Sequence, residues 1–308
     1  MLDWLTLFFY FIVYSMIGWV GEVCYAYVVH HRFVNRGFLN GPLCPMYGVG
    51  ALLFVAIGQV LGHKPGMIFI ASAVAATALE YITGYLLEKI FHRRYWDYSH
   101  SKFNINGYVT LVATLVWGAA GVLAVMWIHP FVLSVVGKIS VRWRQGLSWV
   151  FLVLFLADLW TTIAQNIHLT KRLEELRVLS EKLADTRQQE NERKKLEKEY
   201  NAKLAAQGFG ERRILGAFPG LNSKRHGEAV LSIRQIQASI SERLKKEKEK
   251  YRQGIHELKE NYARWQRENN HMEDQEKKNK QQYRKQKRAL KQRYEQIQDE
   301  IKKRIWNK

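Results

Sequence analysis

Four acidic side chains, Glu22, Glu80, Glu88 and Asp158, fall inside long apolar runs of this sequence. A carboxylate held in hydrocarbon costs roughly 2.5–3.5 kcal/mol on insertion scales, so it marks a partner or a pathway. Two polar stretches flank the first three of these acids. His30–Pro45 reads HHRFVNRGFLNGPLCP and offers Asn35, Arg36 and Asn40. His92–Gly107 offers Arg93, Arg94, Trp96, Asp97, Asn104 and Asn106. Carboxylates, guanidinium groups and amides together can do two things. They can pair to lock helices together, since stranding one partner of a buried pair typically costs 3–5 kcal/mol. They can also line a pocket or path for a small polar solute or ion. Both readings stand at this point, with Glu22 also able to reach interfacial water.

Other chemistry lacks its residues. There is no G-x-x-x-x-G-K-[ST] for nucleotide phosphates, no G-x-S-x-G nucleophile elbow and no H-E-x-x-H zinc motif. Gly216, Pro219 and Gly220 read as turn residues between helices. The two cysteines, Cys24 and Cys44, supply neither a disulfide framework nor a zinc cluster. No catalytic residue, metal or cofactor is expected, and the chain is not expected to be an enzyme.

The elements that must position the polar groups are helices. Five apolar runs are expected to span a bilayer: Trp4–Val29, Met46–Leu61, Met67–Ile90, Tyr108–Ile128 and Leu147–Ile167. Small residues recur on them, including Gly18, Gly48 and the Ala71–Ala78 stretch, which suits close helix approach. The first run is long enough to be a span and has no basic n-region, so no cleaved leader is expected. Trp160, Thr161 and Thr162 are expected to shield or hydrogen-bond Asp158.

Charge divides the chain. The first 167 residues hold 10 Lys/Arg and 6 Asp/Glu, whereas the remaining 141 hold 37 and 22. A basic segment next to the membrane belongs on the cytoplasmic side, facing the anionic leaflet. With five spans, the N-terminus is then outside and both polar stretches share the cytoplasmic face. Residues 1–167 are read as the membrane domain and 168–308 as a basic cytoplasmic domain with a helix break at 208–227.

The tail carries apolar stripes at steps of three and four: Leu169 to Leu183, then Leu196 to Leu204; Ile233 to Trp265; and Leu290 to Ile305. This predicts a coiled-coil helical hairpin from the first two stripes, with the last stripe folding back or pairing with a second copy. The tail aromatics fall on those stripes, so they are expected in a core and not as platforms for bases. Nucleic acid is not an expected partner.

The motifs G-W-x-G-E (Gly18–Glu22), N-R-G-F-L-N-G-P-L-C-P-M-Y-G (Asn35–Gly48), L-E-Y-I-T-G-Y-L-L-E-K-I-F (Leu79–Phe91), Y-W-D-Y-S (Tyr95–Ser99), F-N-I-N-G (Phe103–Gly107) and V-W-G (Val116–Gly118) carry a resemblance. Over roughly residues 5–135 the chain resembles the bacterial membrane family known as Putative ABC-transporter type IV, a permease-like group. The resemblance implies an all-α polytopic protein of the bacterial cell membrane and a permease-like role. It offers no catalytic residue, and with no ATPase motif present, ATP-driven transport would need a separate ATPase subunit. The expected function is therefore handling of a small polar solute or ion in a cytoplasm-facing pocket. The competing expectation is a non-transporting scaffold whose tail recruits a cytoplasmic partner.

Overall fold

The computed structural model describes residues 3–31, 33–62, 64–185, 190–205, 208–218, 220–223, 225–268 and 273–306. Pro219, assigned to a turn from sequence, lies outside the described residues. So do the side chains of Ile301 and Ile305. The chain divides into two compact units, residues 1–175 with 209–227, and residues 176–208 with 228–308.

The first unit begins with α1 (Trp4–His30), capped by Asp3, whose carboxylate accepts from the Thr6 amide at 2.9 Å. α2 (Pro45–Leu61) and α3 (Pro65–Phe91) each start on a proline, whose missing N–H costs nothing in the first turn. His31 and His92 end α1 and α3 in the left-handed region, at φ 50° and 56°. α4 (Leu111–Leu123) runs through a π-helical turn (Ala124–Ile128) into α5 (His129–Val136). Pro130 has no N–H for the carbonyl four residues back, and the ladder widens one turn before it. The stretch between the expected fourth and fifth spans, residues 129–146, is therefore mostly helix, and only residues 137–140 separate α5 from α6 (Val141–Asp185).

Among the described residues, four helical stretches are long and apolar enough to cross a membrane: Trp4–Val29, Pro65–Phe91, Leu111–Val136 and Val141–Asp185. α2 has 17 residues, about 26 Å at 1.5 Å per residue, and falls short of that length. α6 has 45 residues, so the last apolar run and the first leucine stripe form one uninterrupted helix.

α1 packs on α2 and α3 on α4. Phe9, Tyr10 and Tyr14 of α1 pack with Val132 and Val136 of α5. Close approach depends on glycine. A Cβ on Gly48 would lie 2.7 Å from the Phe11 carbonyl oxygen, and one on Gly118 would lie 3.0 Å from that of Phe69. Gly48→Val should therefore lower the melting temperature of the detergent-solubilised protein, since overpacking against backbone costs about 1–3 kcal/mol or more. Gly66, with nothing within 4 Å of its Cβ position, is the control at which alanine should be tolerated.

The second unit contains α7 (Glu190–Ala205), α9 (Gly227–Glu268) and α10 (Glu273–Trp306). Tyr251 stacks on Tyr294 and Tyr262 on Tyr283, both at 4.7 Å, while Leu290 meets Gly254. As one partner's number rises the other's falls, so α9 and α10 are antiparallel. The last stripe thus folds back onto the second, and α10 also touches α7. The segment 208–227, read from sequence as a break, contains a further helix, α8 (Phe209–Ala217), which belongs to the first unit.

Candidate polar site

The His30–Pro45 stretch is folded by its own polar groups and by two distant segments. Asn35 takes a hydrogen bond from Trp19 Nε1 at 2.8 Å and gives one to the Asn40 carbonyl at 2.8 Å. Asp158 of α6 accepts the Asn40 and Gly41 amides at 3.0 and 2.7 Å. The Asn40 amide group reaches Thr162 Oγ1 at 2.9 Å. From α8, the Arg213 guanidinium donates to the Gly37, Phe38 and Leu39 carbonyls at 3.1, 2.9 and 2.9 Å. Asp158 is therefore an acceptor for loop amides, which explains a carboxylate on an apolar helix. Thr162 assists it at 3.3 Å, but Trp160 is 74% exposed and shields nothing.

Glu22 and Glu80 face a common aromatic cluster. Tyr47 donates to Glu22 at 2.5 Å, and Arg36 pairs with Glu22 at 3.3 Å. The Tyr47 ring lies edge-on to Trp117 at 5.4 Å, and Trp117 Nε1 donates to Glu80 at 3.1 Å. Tyr98 also hydrogen-bonds Glu80. Burial pushes its hydroxyl pKa up to about 12, with the charges of Glu80 and Glu22 adding to the rise. Glu80 is buried, and no cation pairs with it among the described residues. Two carboxylates from different helices thus share three aromatic hydrogen-bond donors and one arginine.

A second group gathers at the foot of α3. Arg94 donates to Glu88 at 2.6 Å and reaches Asp97 at 3.4 Å, with its guanidinium 4.9 Å above the Tyr108 ring. Tyr108 donates to Glu88 at 2.7 Å. Burial and the Glu88 contact push the Tyr108 hydroxyl up to about 12. Burial would raise the Asp97 pKa, but hydrogen bonds from Ser99 and the Arg94 charge hold it below the usual carboxylate range. β1 (Asn104–Ile105) and β2 (Val109–Thr110) form a hairpin. Asn106 and Gly107 both have positive φ, 53° and 76°, as an Asn-Gly turn requires. Asn104 caps that turn, accepting the Gly107 amide at 3.0 Å. Trp96 Nε1 donates to the Tyr108 carbonyl at 2.8 Å. Backbone bonds of 2.8 and 2.9 Å join Arg94 to Asn222 and close a polar cleft of about 530 Å³ against the hairpin.

The twelve side chains singled out from sequence thus separate. Glu22, Arg36 and Glu80 gather at the aromatic cluster; Glu88, Arg94, Trp96, Asp97, Asn104 and Asn106 gather at the hairpin. Asn35 and Asn40 are occupied in folding their own loop. Arg93 stands apart and fully buried. It donates to the Asn166 carbonyl and side chain at 3.0 and 3.1 Å, and Phe91 lies under its guanidinium. Burial holds its pKa below the usual arginine value. Sequence reasoning missed Tyr47, Tyr98, Trp117, Asn166 and Arg213 as partners.

Four helices long and apolar enough to cross a membrane, with acidic and aromatic side chains meeting between them, define a polytopic helical membrane protein. Residues 9–163 match the family described as "Putative ABC-transporter type IV", and the chain belongs to that family. No curated protein and no solved structure matches it.

Proposed function

We propose that the protein is a permease-like membrane component that handles a small polar solute or ion at the Glu22–Glu80 cluster. It would lack an ATPase of its own and draw on a separate subunit. The observation that carries this is Glu80, a buried carboxylate whose hydrogen bonds come from neutral Trp117 and Tyr98 and not from a cation. A structural acid in a bilayer is ordinarily paired; one held by neutral donors keeps its charge available to a passing cation or donor group. In this reading α2 serves as a fifth, short span beside the four long ones. The N-terminus is outside, both polar loops face the cytoplasm, and the helices of the second unit form a cytoplasmic coiled coil. The anionic leaflet lies beside that coiled coil, and no catalysis is assigned to the chain.

The test is Glu80→Gln in cells and in proteoliposomes with a panel of labelled small polar solutes. Wild type should change the accumulation of at least one solute, and Glu80→Gln should abolish that change while melting like wild type. A fully active Glu80→Gln protein would remove Glu80 from the site.

One observation favours a second reading, a scaffold. Residues 277–293 of α10 hold nine Lys/Arg and no acid, all nine exposed. Such a stretch suits recruitment of an acidic partner or a second copy. If cells keep normal solute levels without the gene, and the full chain pulls down a partner through this stretch, the scaffold reading replaces the permease reading.

A further inference from the structure

The polar cleft beside Arg94 does not end at polar side chains. Tyr81 forms part of its wall and also part of a second hollow, a groove of about 420 Å³ where α3 meets α4 and the hairpin. The groove is lined by Val74, Ala78, Ile82, Ile105 and Val109, with Thr77 and Thr114. Those two hydroxyls bond each other at 2.8 Å, which satisfies one of their two protons within the groove. The hairpin marks the border. Its register pairs Ile105 with Val109 toward the groove, while the intervening Asn106 and Tyr108 line the cleft.

We propose that cleft and groove form one binding site for a single-chain amphiphile with an uncharged, hydroxyl-rich headgroup. The alkyl chain lies in the groove and the headgroup in the cleft. Each hollow falls within the few-hundred Å³ range of ligand sites, and the Tyr81 side chain that lines both sets them side by side. Val74 and Ile82 are more than half exposed on a helix long enough to span, so the groove opens where lipid chains are. The headgroup class follows from charge. Arg94 is already engaged by Glu88 and Asp97, so a phosphate would have to compete with two carboxylates for it. Ser99 is likewise engaged by Asp97 and Arg94, and Lys89 is turned onto the Tyr85 ring and hydroxyl, so what the cleft itself offers is neutral: Asn106, Asn222 and Tyr81. Asn106 gives its amide to the Tyr81 hydroxyl at 2.9 Å, which leaves the Asn106 carbonyl to accept and the Tyr81 proton to donate. Amides and tyrosine rings around a wet cleft suit sugar and polyol hydroxyls. The site is separate from the Glu22–Glu80 cluster, so its failure and that of the permease reading are distinguishable.

The experiment places the full chain in phosphatidylcholine nanodiscs and adds an octyl glucoside bearing a photoreactive diazirine near the chain end. Adducts are mapped by mass spectrometry. They should concentrate on residues 74–82 and 105–114. Excess octyl glucoside should suppress them, while free glucose and lysophosphatidylglycerol should not. Ala78→Trp, which fills the groove from an exposed position, should abolish them. Asn106→Ala should weaken binding about five-fold, the loss of one neutral hydrogen bond. Adducts spread evenly over the other lipid-facing helices, or unchanged in Ala78→Trp, would reduce the groove to ordinary lipid contact and overturn the proposal. Competition by lysophosphatidylglycerol as strong as by the glucoside would overturn the headgroup assignment.

Discussion

Arg94→Ala should destabilise the first unit by about 3 kcal/mol, the low end for breaking a desolvated ion pair. The Arg94 side chain is 12% exposed, and it bonds Glu88 on one side and Asp97 on the other. Its removal leaves two partly buried carboxylates facing each other at the edge of the cleft, where water screens them only in part. It also removes the cation over the Tyr108 ring. Tyr108 would remain as the donor to Glu88, which limits the loss on that side. A thermal melt in detergent should show the drop, and limited proteolysis should find new cleavage within residues 97–107. Arg94→Lys should fall between, because an ammonium cannot fork to both acids as a guanidinium does. The double variant Arg94→Ala with Glu88→Gln should recover part of the loss, since the stranded charge is then gone.

Arg213→Ala should release the Gly37–Leu39 backbone, and Cys44 can report it. Three consecutive carbonyls lose their donor, and hydrogen bonds from a charged group contribute about 1.5–3 kcal/mol each before neighbours adjust. Cys44 is buried at the end of that loop. Burial pushes its thiol up to about 12, and the nearby Glu22 charge adds to the rise. In a Cys24→Ser background, wild-type Cys44 should react slowly with maleimide at neutral pH. Opening the loop returns the thiol toward its ordinary pKa near 8.5, which raises the thiolate fraction by up to about a thousand-fold. Asp158→Ala should act in the same direction, because it strands the Asn40 and Gly41 amides. The two substitutions act on one loop, so their effects should not add. Unchanged Cys44 labelling in both would show that the loop holds its shape without either partner.

Much of the architecture was legible because it follows from hydropathy over long windows. α1 and α3 fall within a residue or two of their expected limits, and the acids on them were apparent as charges out of place. The limits of α4–α5 were not legible. His129-Pro130 reads as a helix end, yet a π-turn absorbs the missing bond and the helix continues to Val136. The continuity of α6 was missed for a different reason. At Ile167 the side chains change from apolar to charged, but no Pro or Gly interrupts the backbone until well past Asp185.

The site divided along similar lines. Acids and arginines stood out singly, while their neutral partners did not. Tyr47 and Trp117 look, in one sequence, like any aromatic of a membrane helix. Only packing tells a ring that touches lipid from one that donates to a carboxylate. Arg213 was less legible still, being one of 37 basic residues after Ile167 with nothing local to distinguish it.

The ties from Asp158 and Arg213 to the 37–41 backbone bear on how the protein is made. That loop emerges from the ribosome early, with its carbonyls and amides unmatched. The amides wait for Asp158, 117 and 118 positions on, and the carbonyls wait for Arg213, 174 to 176 positions on. Nascent loops waiting that long rely on the translocation machinery, or on water, to occupy those groups. A gene fragment ending with the last apolar run would make helices of the right length, yet it could never finish the loop that lies over their polar residues.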